Sequence, residues 1–196
     1  MVRKRAHRSW CLFLDRDGVI NSRIMNSYVR DWTEFEFEPG ALRALAVLAR
    51  WAPRIVIVTN QQGVGKGLMT AEDLADIHDR LRSVVAAAGG RIDAVRSCPH
   101  LSADECYCRK PLPGMATGYL KAHPELDGSL SVMVGDTASD MEMGRLLTVA
   151  AGGGARVRIA DRMDPSADAT YPSLAAFARA AERILAASAD RDHSAP

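Results

Sequence analysis

The sequence predicts an α/β fold, a Rossmann-like three-layer sandwich with a mainly parallel central sheet. Short apolar runs alternate along the chain with longer amphipathic stretches, as in sheets whose parallel strands are joined by helices. The runs over 10–14, 54–58 and 130–134 are mostly apolar without regular alternation, which is typical of strands covered on both faces. Acidic or small polar residues follow each run, at the edge where parallel sheets bind ligands.

The first predicted strand, 10–14, leads into a long segment over 21–38 that has no sustained helical or strand period. Long loops inside compact domains are commonly functional. We therefore assign substrate binding to this loop, through Asn26, Ser27 and Tyr28. A packed surface flap is the alternative reading of its aromatic residues.

Helices and strands alternate through the rest of the chain. Pro39-Gly40 opens a helix that closes near Trp51, and Thr70 with Asp73 starts one that ends at Gly89-Gly90. Paired Thr and Asp cap helix starts, and glycine ends helices. Further helices are predicted from Pro113-Gly114 to about His123, through Met141 and Leu147 up to Gly152, and over 173–187; further strands are predicted over 92–96, 155–159 and near Ala169.

The turn after the second strand, residues 59–67, combines glycines with small polar groups that suit an anion. It is not a nucleotide-binding phosphate loop, because that motif needs Gly at position 60 and Ser or Thr at position 67, where this chain has Asn60 and Gly67. We assign Thr59 to catalysis. The residues of this turn assigned to substrate binding are Asn60, Gln61, Gln62 and Lys66.

The composition is that of one globular domain. The 196 residues are 47% hydrophobic and 25% charged, enough for one sizeable core. We expect the domain over 10–188, between a basic N-terminal tail over 1–9 and a C-terminal tail over 189–196, with no insertion large enough for a cap domain. The net charge of +1 argues against a nucleic acid partner.

The chain is expected to be a cytoplasmic protein without a membrane partner, and a monomer. The apolar run after the basic tail stops at Asp15, too soon for a signal peptide, and no stretch is long enough to span a bilayer. Three of the four cysteines lie between Cys98 and Cys108. This spacing favours a metal site in a reducing compartment over a disulfide framework.

A zinc site is predicted between the third strand and the next helix. Three thiols and one imidazole fall within a short stretch, and such sets complete the tetrahedron of closed structural zinc sites. The predicted ligands are Cys98, His100, Cys106 and Cys108. Free thiols or a labile Cys-x-Cys disulfide are the alternatives. A zinc-stapled loop would fix Arg109 and Lys110, and fixed cations recognise phosphate.

The strand ends predict a phosphoryl-transfer site. If strands one, two and four are neighbours, their carboxylates meet at one edge, and hard oxygen ligands without imidazole point to Mg²⁺. The acids concerned are Asp15, Asp17, Asp136 and Asp140. Asp15 would attack phosphorus as the nucleophile, and Asp17 would serve as acid and base. Lys110 and Thr59 would neutralise the phosphoryl oxygens.

Four motifs together resemble the haloacid dehalogenase superfamily of phosphatases. They are Asp15-x-Asp17-Gly18-Val19, Thr59-Asn60, Lys110 and Gly135-Asp136-x₃-Asp140. Cys98-Pro99-His100 and Cys106-x-Cys108-Arg109-Lys110-Pro111 are similar to motifs of the zinc-containing branch, which includes the D-glycero-D-manno-heptose 1,7-bisphosphate 7-phosphatases and the histidinol-phosphate phosphatases. Ser27-Tyr28-Val29 with Phe35-Glu36-Phe37 is closer to the heptose enzymes.

The resemblance implies a magnesium-dependent phosphatase, without a large cap domain, that removes the 7-phosphate of a heptose 1,7-bisphosphate through an aspartyl-phosphate in nucleotide-activated heptose biosynthesis. It implies that the backbone carbonyl of Asp17 joins Asp15 and Asp136 on Mg²⁺, with Asp140 behind them. It also implies that Arg109 helps to select the sugar bisphosphate. Gly65-Lys66-Gly67, where the heptose enzymes often have Ala-Arg-Gly, is a departure in a substrate loop.

Four alternatives to this function stay open. Histidinol-phosphate phosphatase and polynucleotide 3′-phosphatase are the rival enzymes. A phosphoacceptor signalling module also combines an acidic pocket, a Thr and a Lys on a parallel sheet, but it leaves the zinc set and the loop over 21–38 without a role. A catalytically silent binding protein is disfavoured because all the expected catalytic residue types are present.

Overall fold

The computed structural model of the chain describes residues 9–192, with side chains described up to residue 187. The strands are β1 Cys11–Leu14, β2 Arg54–Asn60, β3 Ala94–Cys98, β4 Val132–Gly135, β5 Ala155–Ile159 and β6 Ala169–Tyr171. The helices are α1 Ala41–Trp51, α2 Gln62–Gly65, α3 Ala71–Ala87, α4 Gly114–Ala122, α5 Ala138–Ala151 and α6 Leu174–Asp192. All neighbouring strands are parallel, in the order β3-β2-β1-β4-β5-β6. The predicted α/β class is confirmed.

The sheet is the middle of three layers, because its strands bury side chains on both faces. Leu12 and Leu14 of β1 pack in one hydrophobic cluster with residues of α1, α3 and α6. Cys11 and Phe13 point to the other face and pack in a second cluster with residues of α4 and α5. All four residues of β1 are completely buried, which explains why the strand shows no polar alternation in sequence.

The register of the central strands sets the position of the site. Leu14 at the end of β1 lies beside Ile57 of β2 and Val134 of β4. The chain then continues into Asp15, while β2 and β4 continue toward Thr59 and Asp136. Strands one, two and four are neighbours, which is the condition that the predicted site required, and their carboxyl ends meet at the middle of one sheet edge.

The third and fourth strands each begin two residues later than predicted, because acidic side chains replace strand partners. The third strand begins at Ala94 instead of Ile92: the Asp93 carboxylate accepts hydrogen bonds from Ile55 N at 2.7 Å and Arg91 Nε at 2.9 Å. Leu130, predicted in the fourth strand, is 45% exposed in a 3₁₀ turn, Gly128–Leu130. Asp127 caps that turn by accepting from Ser129 N at 3.0 Å.

The chain ends differ in part from the predicted tails. Residues 1–8 of the predicted basic tail and residues 193–196 lie outside the described residues, while Ser9 forms an isolated parallel bridge with Leu126. Residues 189–192, predicted as tail, continue helix α6 to Asp192. Among helices within 9–192, none combines the length and the apolar character needed to cross a bilayer.

Candidate active site

Three carboxylates from two strand ends lie together at the edge of the sheet. Asp15 follows β1, and its backbone N–H donates to Val134 O of β4 at 2.9 Å. Asp136 follows β4, and Asp140 lies in the first turn of α5. One carboxylate oxygen from each acid lies within 4.8 Å of the others. The sequence predicted this convergence from the strand ends alone.

Lys110 is a buried cation that compensates the negative charge of two of these acids. Its Nζ lies 2.7 Å from Asp15 Oδ1, 2.7 Å from Asp140 Oδ1 and 3.0 Å from the Val58 carbonyl oxygen. Burial and the neighbouring Asp140 raise the pKa of Asp15 to about 7, although Lys110 opposes this shift. The pKa of Lys110 is raised despite its burial, because Asp15 and Asp140 favour the ammonium. Lys110 is therefore a permanent cation directly beneath the predicted nucleophile.

Asn60 at the end of β2 holds the backbone of Lys110 at both polar groups. Its Oδ1 accepts from Lys110 N at 3.0 Å, and its Nδ2 donates to Lys110 O at 3.1 Å. Asn60, predicted to bind substrate, therefore fixes the backbone of Lys110 with its side-chain amide. Thr59, beside it, is 1% exposed and borders a small pocket of about 70 Å³ together with Asp15 and Lys110.

Asp17 is surrounded by hydrogen-bond donors. Asn21 Nδ2 lies 2.8 Å from its Oδ1, Gln61 Nε2 lies 2.8 Å from its Oδ2, and Arg16 Nη2 lies 3.0 and 3.2 Å from the two oxygens. Burial opposes ionisation of Asp17, but the charge of Arg16 and the hydrogen bonds outweigh it, so the pKa of Asp17 is lowered. The carboxylate is therefore ionised and fixed in orientation.

Arg16 and His78 support Asp17 and were not identified in the sequence. Arg16 is completely buried; its Nη1 lies 3.2 Å from Nε2 of His78 on α3, and its guanidinium carbon lies 5.9 Å from the centre of the Phe35 ring. Burial, with the charge of Arg16, lowers the pKa of His78 to about 3. His78 is thus a neutral acceptor for an arginine whose only ion pair among the described residues is with Asp17.

Arg23 was also missed, and it shows that the acidic edge fits a cation. Its Nη2 lies 2.8 Å from the Asp17 carbonyl oxygen, 2.8 and 3.0 Å from the Asp136 oxygens and 3.7 Å from Asp15 Oδ2. Carboxylate and carbonyl oxygens are the ligands that Mg²⁺ prefers. The oxygens of Asp140 are instead engaged by Lys110 and Thr137. The donor set therefore fits the magnesium ligands implied by the resemblance, with Asp140 behind them.

Gly18 allows the close approach of the two acidic loops. It has a φ of +89°, and a Cβ atom there would lie 2.2 Å from Asp136 Oδ2. Any side chain at position 18 would therefore displace Asp136 as well as strain the backbone. The Gly in the first motif is required by this contact, which the sequence pattern could indicate only through the resemblance.

A polar cleft of about 610 Å³ extends from the acidic edge. Its lining includes most of the residues predicted to bind substrate, namely Asn26, Ser27, Tyr28, Asn60, Gln62, Lys66 and Arg109. Lys66 Nζ lies 5.3 Å from the centre of the Tyr28 ring. Gln61 is the exception: it is 1% exposed, it does not line the cleft, and its amide donates to Asp17 and Thr59. Gln61 therefore orients the side chains of Asp17 and Thr59 from outside the cleft.

The four predicted zinc ligands lie within contact of one another. Cys106 Sγ is 3.4 Å from both Cys98 Sγ and Cys108 Sγ, and His100 Nδ1 is 3.6 and 3.2 Å from the same two sulfurs. Tetrahedral zinc with these donors places its ligands roughly 3.5–3.8 Å apart. All four cysteines of the chain are free thiols, so the disulfide alternative is absent from this structure and the donor set fits zinc.

Comparisons with known proteins agree with this site. A family model described as polynucleotide kinase 3 phosphatase matches residues 13–195. The chain is 49% identical over 179 residues to the D-glycero-alpha-D-manno-heptose-1,7-bisphosphate 7-phosphatase of Mycobacterium bovis, across 91% of this chain and 94% of the relative. It is 37% identical over 131 residues to the D-glycero-beta-D-manno-heptose-1,7-bisphosphate 7-phosphatase of Bordetella bronchiseptica, across 67% and 72%.

A solved structure extends the likeness to the fold. The crystal structure of D,D-heptose 1.7-bisphosphate phosphatase from B. bronchiseptica, complexed with magnesium and phosphate, matches with a TM-score of 0.77 at 32% identity. The match covers 90% of this chain and 98% of that chain. The chain therefore belongs to the polynucleotide kinase 3 phosphatase family as that model defines it and, among the haloacid dehalogenase-like phosphatases, to the D-glycero-D-manno-heptose 1,7-bisphosphate 7-phosphatases, as its motifs predicted.

Proposed function

We propose that this chain is a magnesium-dependent phosphatase that removes the 7-phosphate of D-glycero-D-manno-heptose 1,7-bisphosphate, through an aspartyl-phosphate on Asp15, in nucleotide-activated heptose biosynthesis. The α anomer is the proposed substrate, because the relative at 49% identity is named for it and the relative at 37% is named for the β anomer. Family membership supports the reaction class, and the geometry supports a substrate with two phosphates.

The observation that carries the proposal is the presence of two separate cationic regions. Lys110 lies beneath Asp15 in the small pocket. Lys66 and Arg109 line the larger cleft. Cations in these two places suit a ligand with a phosphate at each end. A monophosphate with a cationic tail, such as histidinol phosphate, would leave Lys66 and Arg109 without a matching charge.

Asp15 is proposed as the nucleophile because it is buried at the floor of the small pocket and bonded to a cation. Lys110 holds one oxygen of Asp15 at 2.7 Å, and Arg16 N donates to the same oxygen at 2.7 Å. Attack forms an Asp15 Oδ–P bond and breaks the bond to the sugar oxygen, and water later cleaves the aspartyl-phosphate.

Asp17 is proposed as the acid and base of the two steps. In the first step the protonated form of Asp17 gives its proton to the sugar oxygen that leaves, and in the second step the Asp17 carboxylate takes a proton back from the attacking water. The donors Arg16, Asn21 and Gln61 keep its carboxylate in one orientation, and they favour the ionised form that the second step requires. Thr59 lies beside it, with its Oγ1 accepting from Gln61 Nε2 at 2.8 Å.

Magnesium would be held by Asp15, Asp136 and the carbonyl of Asp17, and when bound it supplies positive charge against the phosphoryl oxygens. Lys110 supplies a second charge from below, and the Thr59 hydroxyl supplies a hydrogen bond. Zinc would be held by Cys98, His100, Cys106 and Cys108. It would fix the loop that carries Arg109, and its closed donor set leaves no position for chemistry.

The test is to measure kcat/KM with Mg²⁺ for both anomers of heptose 1,7-bisphosphate, histidinol phosphate, fructose 1,6-bisphosphate and a 3′-phosphorylated oligonucleotide. We expect the α-heptose bisphosphate to be preferred by at least about tenfold, a difference of about 1.4 kcal/mol in the barrier. Equal or better use of histidinol phosphate or of the oligonucleotide would overturn the substrate assignment. An aspartyl-phosphate that persists for minutes without release of phosphate would favour the signalling module.

A further inference from the structure

Arg23 touches the same oxygen atoms that would hold magnesium. A single nitrogen, Nη2, lies 2.8 Å from the Asp17 carbonyl oxygen and 2.8 Å from Asp136 Oδ1, with Asp15 Oδ2 at 3.7 Å. These are the three groups of the proposed metal site. Magnesium binds oxygen at about 2.0–2.1 Å, so the ion and this nitrogen cannot occupy the site together.

The backbone before Arg23 is fixed, which makes this contact a property of the fold. Asn21 is completely buried; it forms isolated bridges with Asp17 and Phe37, and its side chain bonds Asp17. Ser22 N donates to Glu36 O at 2.8 Å. Arg23 therefore follows an anchored segment directly beside the acidic edge.

The Arg23 side chain is able to leave the site. It is 39% exposed, and it lines both the small pocket and the larger cleft. Rotation of its flexible stem would carry the guanidinium into the cleft without any change in the fixed backbone. Partly exposed ion pairs of this kind are individually weak, so a divalent ion with the same ligands can displace the guanidinium.

We propose that Arg23 is a tethered counter-ion that occupies the magnesium site of the metal-free enzyme and must leave before magnesium binds. The inference rests on the metal site of the proposed function. It assigns Arg23 two effects that no catalytic role requires: it stabilises the crowded carboxylates without metal, and it weakens the apparent affinity for Mg²⁺.

The test is isothermal titration of Mg²⁺ alone into enzyme dialysed against magnesium-free buffer, with the zinc left in place. Arg23→Met keeps much of the apolar stem and offers no charge and no oxygen ligand. We expect it to bind Mg²⁺ about tenfold more tightly than wild type, or about 1.4 kcal/mol. The tenfold ratio of Mg²⁺ affinities between Arg23→Met and wild type should persist at about 0.5 M KCl. Salt screens repulsion between distant charges, whereas it has less effect on a direct contact that the ion must displace. Arg30→Met is the matched control, since Arg30 belongs to the same loop and pairs with Glu34.

Thermal unfolding gives a second readout. Metal-free Arg23→Met should melt at a lower temperature than metal-free wild type, and the two should melt together at saturating Mg²⁺. Arg23→Lys should give a smaller gain in affinity, about threefold (about 0.65 kcal/mol), because an ammonium lacks the planar fork of arginine. If Arg23→Met does not fold without metal, the Mg²⁺ affinity of Arg23→Lys tests the role of Arg23 instead.

The outcomes separate this inference from the proposed function. Equal or weaker Mg²⁺ binding by the Arg23 variants, with binding still abolished in Asp136→Asn, overturns the role of Arg23 and leaves the metal site intact. Absence of Mg²⁺ binding in wild type, or full binding by Asp136→Asn, overturns the metal site itself and the inference with it.

Discussion

Nζ of Lys110 lies 2.7 Å from Oδ1 of Asp15, and both side chains are almost completely buried. The same nitrogen is 2.7 Å from Asp140, so one buried cation compensates two buried acids. Removing one partner of such a network leaves uncompensated charge, whereas removing charge of both signs can restore much of the lost stability. The three residues form one electrostatic unit that serves both the fold and the chemistry.

Lys110→Met should therefore lose stability and activity together. We expect a loss of about 3–5 kcal/mol in the free energy of unfolding and a fall in kcat of at least about 10²–10³. Urea unfolding and steady-state kinetics measure the two. Adding Asp140→Asn removes the second acid and should recover part of the stability but none of the activity. Recovery of turnover by the double variant would contradict the catalytic role of Lys110.

Asp15→Asn should abolish turnover and preserve the fold. Asparagine has nearly the shape of aspartate but cannot attack phosphorus, and it removes one of the acids that repel each other at the sheet edge. We expect less than a tenth of wild-type kcat, a rise of more than about 1.4 kcal/mol in the barrier, and an unchanged circular dichroism spectrum. Retention of more activity than this would remove Asp15 as the nucleophile.

His78 should make stability depend on pH. In the folded chain the pKa of His78 is lowered to about 3, so the ring is neutral at pH 5, whereas the unfolded chain takes up a proton below a pKa of about 6.5. The unfolded state then binds more protons, and stability falls as pH decreases from about 7 toward 3. Between pH 7 and 5 the wild type should lose about 2 kcal/mol more than His78→Gln.

Urea denaturation of both proteins at several pH values checks this difference. His78→Gln keeps an acceptor for Arg16 but does not titrate, so any general cost of the substitution appears equally at every pH and cancels in the comparison. Parallel pH dependences in the two proteins would show that His78 does not remain neutral when the chain folds.

Loss of zinc should affect bisphosphate binding more than chemistry. Metal analysis is expected to find about one zinc per chain. Cys106→Ser should lower zinc occupancy and raise KM for the 1,7-bisphosphate by about tenfold, while KM for heptose 7-phosphate changes by less than about threefold, because only the bisphosphate needs Arg109. Arg109→Met, with the zinc cluster intact, should give the same contrast. Equal changes in KM for the two substrates would show that the zinc loop does not select the second phosphate.

The sequence predicted the centre of the site because its elements obey general rules. Apolar runs that end in Asp15, Thr59 and Asp136 identify parallel strands, and such strands deliver their ends to one edge. The cysteine and histidine spacing indicates a cluster without any tertiary information. The parallel α/β sheet is confirmed, and the acid convergence and the contact among the four soft ligands are observed.

The residues that sequence reasoning missed act through contacts between distant parts of the chain. Arg16 reads as a surface residue between two acids; its ion pair with Asp17 and the packing of His78 and Phe35, seen only in the folded chain, explain why a buried arginine is tolerated there. Arg23 lies in a segment without a period, so its reach to Asp136 cannot be inferred from spacing. The clamp of Asn60 on the Lys110 peptide likewise depends on two segments that meet only in the folded chain.

Arg109 and Lys110 are consecutive residues, so the distance between the backbone positions of these two cations is fixed. Consecutive Cα atoms are about 3.8 Å apart, and here one side chain goes down to Asp15 while the other lines the open cleft. The clamp of Asn60 holds the first residue, and Arg109 Nη1 reaches His100 O at 3.3 Å in the cysteine-histidine cluster. Under the proposed function, the spacing between the two substrate phosphates is therefore limited by two consecutive residues of the chain. Lengthening the chain between these residues would change the size of ligand accepted while leaving the reacting acids in place.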